Sequence, residues 1–162
     1  MNTSKTPWWR GPRGEWYVVA QVLLFMLILW GPRDVPGLNW PISGAVSSSA
    51  GIALMALGLA LSIAAALHLG SNLTPLPHPK DDASFVASGP YRAVRHPMYG
   101  SVILLALGWA FHVEGLLTVV YALLTVLFFD IKTRREEAWL IQRFPEYAAY
   151  RRRVRKLIPF IY

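Results

Sequence analysis

YGSVILLALGWAFHVEGLLTVVYALLTVLFFDI, residues 99–131, is apolar for longer than one membrane crossing needs and is broken once, at His112-Val113-Glu114-Gly115. A hydrocarbon core about 30 Å thick takes roughly 20 helical residues. The stretch therefore predicts two antiparallel helices joined by a tight turn. The first, about Gly100 to Phe111, is short for a full crossing; Tyr99, Trp109 and His112 suit the headgroup layer at its ends. Toward the N-terminus lie two further apolar runs, Trp16 to Trp30 and Val46 to Leu69. The fold expected is all-α and polytopic, with about four transmembrane helices. The third and fourth form a hairpin, and a helical extension follows them. The 162 residues read as one membrane domain, with two spans in 14–69 and a polar-rich core in 70–162.

Composition agrees. At 54% hydrophobic residues, a single small domain carries more apolar surface than its own core can bury. There is no cysteine, which excludes disulfides, thiolate nucleophiles and Cys-ligated metals. The apolar run after Trp8, Trp9, Arg10 and Arg13 lacks a small-residue cleavage site, so it reads as a retained span.

The formal charge is +7, and nine of the sixteen Lys and Arg follow residue 131. Lys5, Arg10 and Arg13 precede the first span, while Lys80, Arg92 and Arg95 lie between the second and third. Only Arg33 falls in the two opposite loops. The excess of cations on one side predicts that both termini face the cytoplasm. Basic residues at headgroup level suit anionic lipid, not nucleic acid. His68, His78, His96 and His112 show no metal-ligand spacing, so no metal site is expected.

In the second span, Gly51, Gly58 and Ala65 recur every seven residues on one face. Small residues let helices approach closely in lipid. That face packs either on a neighbouring helix of the same chain or on a second copy, and oligomeric state is left open.

Two polar blocks flank the hairpin. Pro75, Pro77 and Pro79 exclude a helix early in residues 70–98. Ser84 to Ala87 reads as a short extended piece, and Ser88-Gly89-Pro90 as a turn. Pro97 fits the first turn of the third helix. It places His96 just before a helix N-terminus, where backbone N–H groups and the dipole favour an anion. A headgroup-level cap with snorkelling Arg92 and Arg95 is the plainer alternative. The fourth helix continues unbroken through Asp130, Lys132, Arg134, Arg135, Glu136 and Glu137, and a salt-bridged solvated extension is its plain reading. Pro145 ends it and is expected to open a last helix, to about Arg153.

Read together, Gly89-x-Tyr91-x-x-x-Arg95-His96-Pro97-x-Tyr99 and Glu136-Glu137-x-x-Leu140-x-x-x-Phe144-x-x-Tyr147-x-x-Tyr150, closed by Leu157-Ile158-Pro159, resemble the isoprenylcysteine carboxyl methyltransferase family and related phospholipid methyltransferases. The resemblance covers roughly residues 83–161. It implies that 70–162 is a methyltransferase-like core using S-adenosylmethionine on an amphiphilic acceptor, at the cytoplasmic face of a multi-pass membrane protein (the inner membrane, if bacterial). Carried onto this chain, Ala83, Ser84, Phe85 and Val86 would lie along the cofactor. Tyr91, His96, Pro97, Met98 and Tyr99 would enclose it, and Glu136 would contact one of its polar groups. Lys132 or Arg134 would face the substrate. Lys132 stands where the family commonly has Arg, and Pro145 where it has Gly.

These residue types suit that chemistry. Aromatic faces suit a sulfonium cation and adenine, and Arg95 suits a carboxylate. In-line methyl transfer needs alignment more than a covalent intermediate. A carboxylate acceptor needs no base; for an amine or thiol, His96 or Glu137 is the candidate. The acceptor itself stays open among a prenylcysteine, a phospholipid amine, a small thiol and another lipid carboxylate. A non-catalytic membrane scaffold or lipid-binding subunit is the competing class, but it has no need of Tyr91, His96, Tyr99 and Glu136 together.

Overall fold

The computed structural model describes residues 13–159 and 161–162. Trp8, Trp9, Lys5 and Arg10, used above for the first span and the charge asymmetry, lie outside the described residues, as does Phe160. Among the described residues there are five α-helices and no strand: α1 Glu15–Trp30, α2 Gly44–Leu69, α3 Pro97–His112, α4 Leu116–Arg143 and α5 Tyr147–Arg153. Single 3-10 turns cover Gly70–Asn72 and Gly89–Arg92. Residues 83–87, between these turns, form a strap without regular secondary structure.

α2 and α4 are long and apolar enough to cross a membrane. Only 17% of the most apolar window of α2 is buried. That is the opposite of a soluble core helix. Its outward face presents Ile52, Leu57, Leu59, Ile63 and Leu67, and α4 presents Val120, Leu123, Leu124 and Leu127. Such a surface is stable in lipid and insoluble in water. α1 and α3 are 16 residues each, about 24 Å at 1.5 Å per residue, and fall short of a 30 Å core.

The helices pack in the order α2, α3, α4, α1. The small-residue face of α2 packs on α3 of the same chain. A Cβ at Gly51 would stand 2.6 Å from the Gly108 carbonyl oxygen, and one at Gly108 would stand 2.7 Å from that of Gly51. The two backbones touch there, and only glycine allows it. Ser47 Oγ donates to the Phe111 carbonyl at 2.8 Å and Ser48 Oγ lies 3.1 Å from His112 Nδ1, so these polar groups of α2 are satisfied inside the helix pair.

The turn between α3 and α4 falls where the apolar run is interrupted. Val113 N–H returns to Trp109 O at 2.9 Å and Gly115 N–H to Ala110 O at 3.1 Å. These bonds satisfy carbonyls that a helix end otherwise leaves open. Trp109 Nε1 donates to Ile28 O at 3.0 Å, tying the end of α1 to α3.

At the other end, the chain departs from expectation in one detail. Pro145 does not begin a helix. Phe144, Pro145 and Glu146 form a turn closed by Tyr147 N–H to Phe144 O at 3.0 Å, and α5 starts at Tyr147. After α5 the chain runs back beside the loop before α3. Val94 and Arg155 form a parallel bridge, with Arg95 N–H to Arg155 O at 2.8 Å and His96 N–H to Lys156 O at 3.1 Å. The residues around Leu157-Ile158-Pro159 thus clamp the segment that carries His96.

Candidate active site

A cavity of ≈ 390 Å³ opens at the polar end of α3 and α4, under the strap and beside α5. That is the size of a small-molecule or cofactor site. One wall is aromatic. Pro97 starts α3, so its side chains at the mouth are set by the helix turn: the His96 ring lies parallel to Tyr99 at 5.6 Å, and Tyr99 parallel to Phe129 of α4 at 4.5 Å. Tyr99 donates its hydroxyl to Glu136 Oε2 at 2.6 Å.

The two adjacent glutamates have different tasks. Glu136 lines the cavity and is about a quarter exposed, with Oε1 4.0 Å from His96 Nδ1. Glu137, one residue on, points to the other side of α4 and is not a lining residue. It is 3% exposed and is surrounded by cations. Its Oε1 accepts from Arg95 Nε at 2.8 Å and from His96 Nε2 at 3.0 Å, and its Oε2 pairs with Arg151 Nε at 3.1 Å. A carboxylate flanked by two guanidinium groups only accepts, so the proton of the imidazole sits on Nε2. His96 Nδ1 is then the nitrogen left to accept a proton, on the side of Glu136.

Glu137 was expected as a possible base; its oxygens are already taken, and the arrangement makes it the residue that orients His96. Arg95 lines the cavity but is largely committed too. Besides Glu137, its Nη1 donates to Arg151 O at 3.2 Å and to Val154 O.

Of the other residues expected at the site, Ala83, Ser84, Phe85 and Val86 all line the cavity. Asn72 holds this strap, its Nδ2 donating to Ser84 O at 3.1 Å and its Oδ1 accepting from Ser84 N–H at 3.0 Å. Phe85 packs on Phe144, Tyr147 and Tyr150. Tyr91, Met98 and Lys132 are lining residues as well. Pro97 is buried at the start of α3 and does not line.

Arg134 is turned away. Its side chain is 73% exposed and pairs with Asp130 one turn back, Nη2 to Oδ2 at 2.6 Å. Four residues of helix separate it from Asp130, the spacing that pairs neighbours on an outer face. Of these two, Lys132 is therefore the cation that reaches the cavity. It is 1% exposed, donating to Gln21 Oε1 of α1 at 2.7 Å and to Pro75 O at 2.9 Å. Its ammonium lies 5.2 Å from the Tyr99 ring centroid.

Several lining residues were not assigned to the site from sequence: Gln21, Pro75 and Phe129, and also Leu140, Tyr147 and Tyr150, which entered only as part of the motif. Gln21 had a signal. It is the single amide within an otherwise apolar run, and an amide in a membrane helix implies a partner across the bundle. Tyr150 donates to Tyr91 O, and burial pushes its hydroxyl up to about 12. Burial, followed by the charge of Glu136, also raises Tyr91. Both stay neutral phenols at physiological pH. Among the described residues no group of three or more His, Asp or Glu is arranged to hold a metal ion.

This geometry can be set beside known proteins. The phospholipid methyltransferase family model matches residues 46–147. A cobalt-zinc-cadmium resistance protein, CzcN, of Cupriavidus metallidurans is 39% identical over 77 residues, which are 47% of this chain and 36% of that protein. A protein-S-isoprenylcysteine O-methyltransferase of Mus musculus is 31% identical over 145 residues, 82% of this chain and 49% of that one. Among solved structures, the eukaryotic intramembrane Ras methyltransferase, an isoprenylcysteine carboxyl methyltransferase, superposes with a TM-score of 0.65 at 26% identity, covering 99% of this chain and 55% of that chain. The chain spans about half the length of the two isoprenylcysteine methyltransferases, and less of the resistance protein. With the family model covering more than half of its length, and the aromatic wall and glutamate pair in place, the chain belongs to the phospholipid methyltransferase family.

Proposed function

We propose that this protein is an integral-membrane methyltransferase that uses S-adenosylmethionine and acts on an amphiphilic acceptor at the cytoplasmic face. The observation that carries the reading is the joining of the His96–Tyr99–Phe129 stack and Glu136 on one wall of a single cavity, facing the strap 83–86. The residues present fit the cofactor's chemistry. Stacked aromatic faces suit its sulfonium and adenine, Glu136 suits its amine or ribose hydroxyls, and Arg95 suits its carboxylate. When bound, the cofactor supplies an electrophilic methyl group.

The chain's own residues do the rest. Lys132 has three donors and spends two on Gln21 and Pro75. The third is left for an anionic group on the acceptor. His96 Nδ1 takes the proton of an amine or thiol acceptor, while Glu137 holds the ring in the tautomer that makes this possible. A carboxylate acceptor uses Lys132 alone. Phe85, Phe144 and the tyrosines of α5 keep water from the reacting groups.

The membrane setting follows the charge pattern. The helices cross four times, the short α1 and α3 with their ends in the headgroup layers, and both termini and the cavity lie in the cytoplasm. α1 packs against α4 and α3, and a lipid-like acceptor enters sideways between the spans from the bilayer. The test is transfer of labelled methyl from S-adenosylmethionine by protein in nanodiscs, offered prenylcysteine, phospholipid-amine, thiol and fatty-acid acceptors in turn. Transfer to one class, abolished by His96→Ala, supports the assignment. Tight acceptor binding without transfer to any class points to a scaffold.

A further inference from the structure

Among the described residues, the side chains of Arg92, Arg152, Arg153 and Arg155 are the Lys and Arg groups without a bonding or stacking partner, and all of them are exposed. Each of the other described cations meets a carboxylate, an amide or carbonyl oxygen, or an aromatic ring. The unspent guanidinium groups are not scattered. Arg92 ends the 3-10 turn before α3, and the others lie in the last turn of α5 and just beyond it. These two segments are bound to each other, with Tyr150 donating to Tyr91 O and Val94 bridging Arg155.

The helix dipole accounts for a cation in the last turn of α5. It accounts neither for Arg155, which lies past that turn, nor for Arg92 across the clamp. Like charges gathered in this way repel one another unless an anionic partner faces them. The neighbouring side chains say which kind. Ile158 and Ile161 are 50% and 76% exposed. The backbone leading to them lies against the first turn of α3, where a Cβ on Gly100 would stand 3.6 Å from Leu157 O. Guanidinium groups with bare isoleucines beside the start of an apolar helix fit a headgroup layer, which satisfies both. A soluble polyanion would leave the isoleucines in water.

We propose that Arg92, Arg152, Arg153 and Arg155 form a docking surface for anionic lipid headgroups, and that docking tightens the clamp that holds His96. The link is the backbone of the same segment. Arg95 N–H and His96 N–H donate to the carbonyls of Arg155 and Lys156, and Arg95 Nη1 to those of Arg151 and Val154. Arg151 Nε pairs with Glu137, which orients His96. A headgroup that restrains 152–155 therefore restrains the groups around His96. The lipid surface stands on its own, and its bearing on catalysis rests on the methyltransferase reading.

The test places unliganded wild type and the variant R92Q/R152Q/R153Q/R155Q in nanodiscs of phosphatidylcholine, with and without phosphatidylglycerol. Spin-labelled phosphatidylglycerol should associate with wild type more strongly than spin-labelled phosphatidylcholine. High salt and the substitutions should each remove most of that preference, whereas Arg134→Gln, which alters a side chain paired with Asp130, should keep it. Hydrogen exchange at the Arg95 and His96 amides should slow about fivefold or more when phosphatidylglycerol is present, in wild type and not in the variant. The removed side chains make no internal bonds, so the thermal midpoint of the variant in phosphatidylcholine should match that of wild type; the salt arm uses wild type alone. A preference that survives the substitutions or high salt overturns the docking surface. Amide exchange indifferent to the lipid overturns the coupling, and equal slowing by soluble tripolyphosphate in phosphatidylcholine overturns the lipid as occupant. Both readouts are taken without cofactor, so their failure is distinct from a failure of S-adenosylmethionine binding, which titration of S-adenosylhomocysteine measures separately.

Discussion

At the scale of single residues, neighbours in sequence are divided by the geometry of a helix. Glu136 and Glu137 are about 100° apart on α4, which puts one carboxylate in the cavity and the other among Arg95, His96 and Arg151. Substitution of the two should therefore fail differently. Glu136→Ala should abolish cofactor binding with little change in the thermal midpoint. Glu137→Gln removes the charge from a buried cluster and leaves the buried Arg95 guanidinium uncompensated, a loss of about 3 kcal/mol or more. It should appear as a large drop in unfolding midpoint in detergent. Equal stability of the two variants would contradict the division. Arg134→Ala removes an exposed pair on the outer face and should bind cofactor as wild type does; a large loss of affinity would place Arg134 in the site after all.

Elements are where the sequence was most and least legible. Hydrophobic runs marked all four long helices to within three residues at their starts, because apolarity over that length has one stable outcome in lipid. The break at His112 to Gly115 became the turn for the same reason. The seven-residue spacing of Gly51, Gly58 and Ala65 marked a packing face, but no sequence pattern says which neighbour a smooth face will choose. The contact with Gly108 decides it for α3.

Gly108→Leu should test this seam. Its Cβ would sit 2.7 Å from the Gly51 carbonyl oxygen, and overpacking of this kind costs about 1–3 kcal/mol. The expected result is a lower thermal midpoint and protease sensitivity of α2 in the monomer. If the variant changes only the oligomeric state, the seam lies between copies. The site residues contributed by distant elements were the least legible. Gln21 and Lys132 are 111 positions apart and meet only because α1 packs on α4. The clamp of 154–156 on 94–96 depends on backbone groups, which carry no residue signature.

For the molecule as a whole, chemistry is gathered at one end of the bundle. The strap, the start of α3, the end of α4, α5 and the returning C-terminal segment all meet there, and α2 and α4 present large apolar side chains outward along the rest of the bundle. The opposite loops hold Arg33 as their only Lys or Arg, the asymmetry on which the proposed cytoplasmic placement of the cavity end rests. The absence of cysteine from the chain makes this easy to test. Single substitutions Asp34→Cys and Arg152→Cys should react with an impermeant maleimide from opposite sides of the membrane. Labelling of both from the same side would contradict the topology.

The claim on which all the rest depends is that the cavity holds S-adenosylmethionine between the aromatic wall and the strap. Isothermal titration of S-adenosylmethionine and S-adenosylhomocysteine into the nanodisc-embedded protein, with His96→Ala and Glu136→Ala beside wild type, tests it most directly. The account predicts saturable binding of one ligand per chain by wild type and its loss in both variants, with each variant still folded. Undiminished binding in both, or none by well-folded wild type, would contradict it.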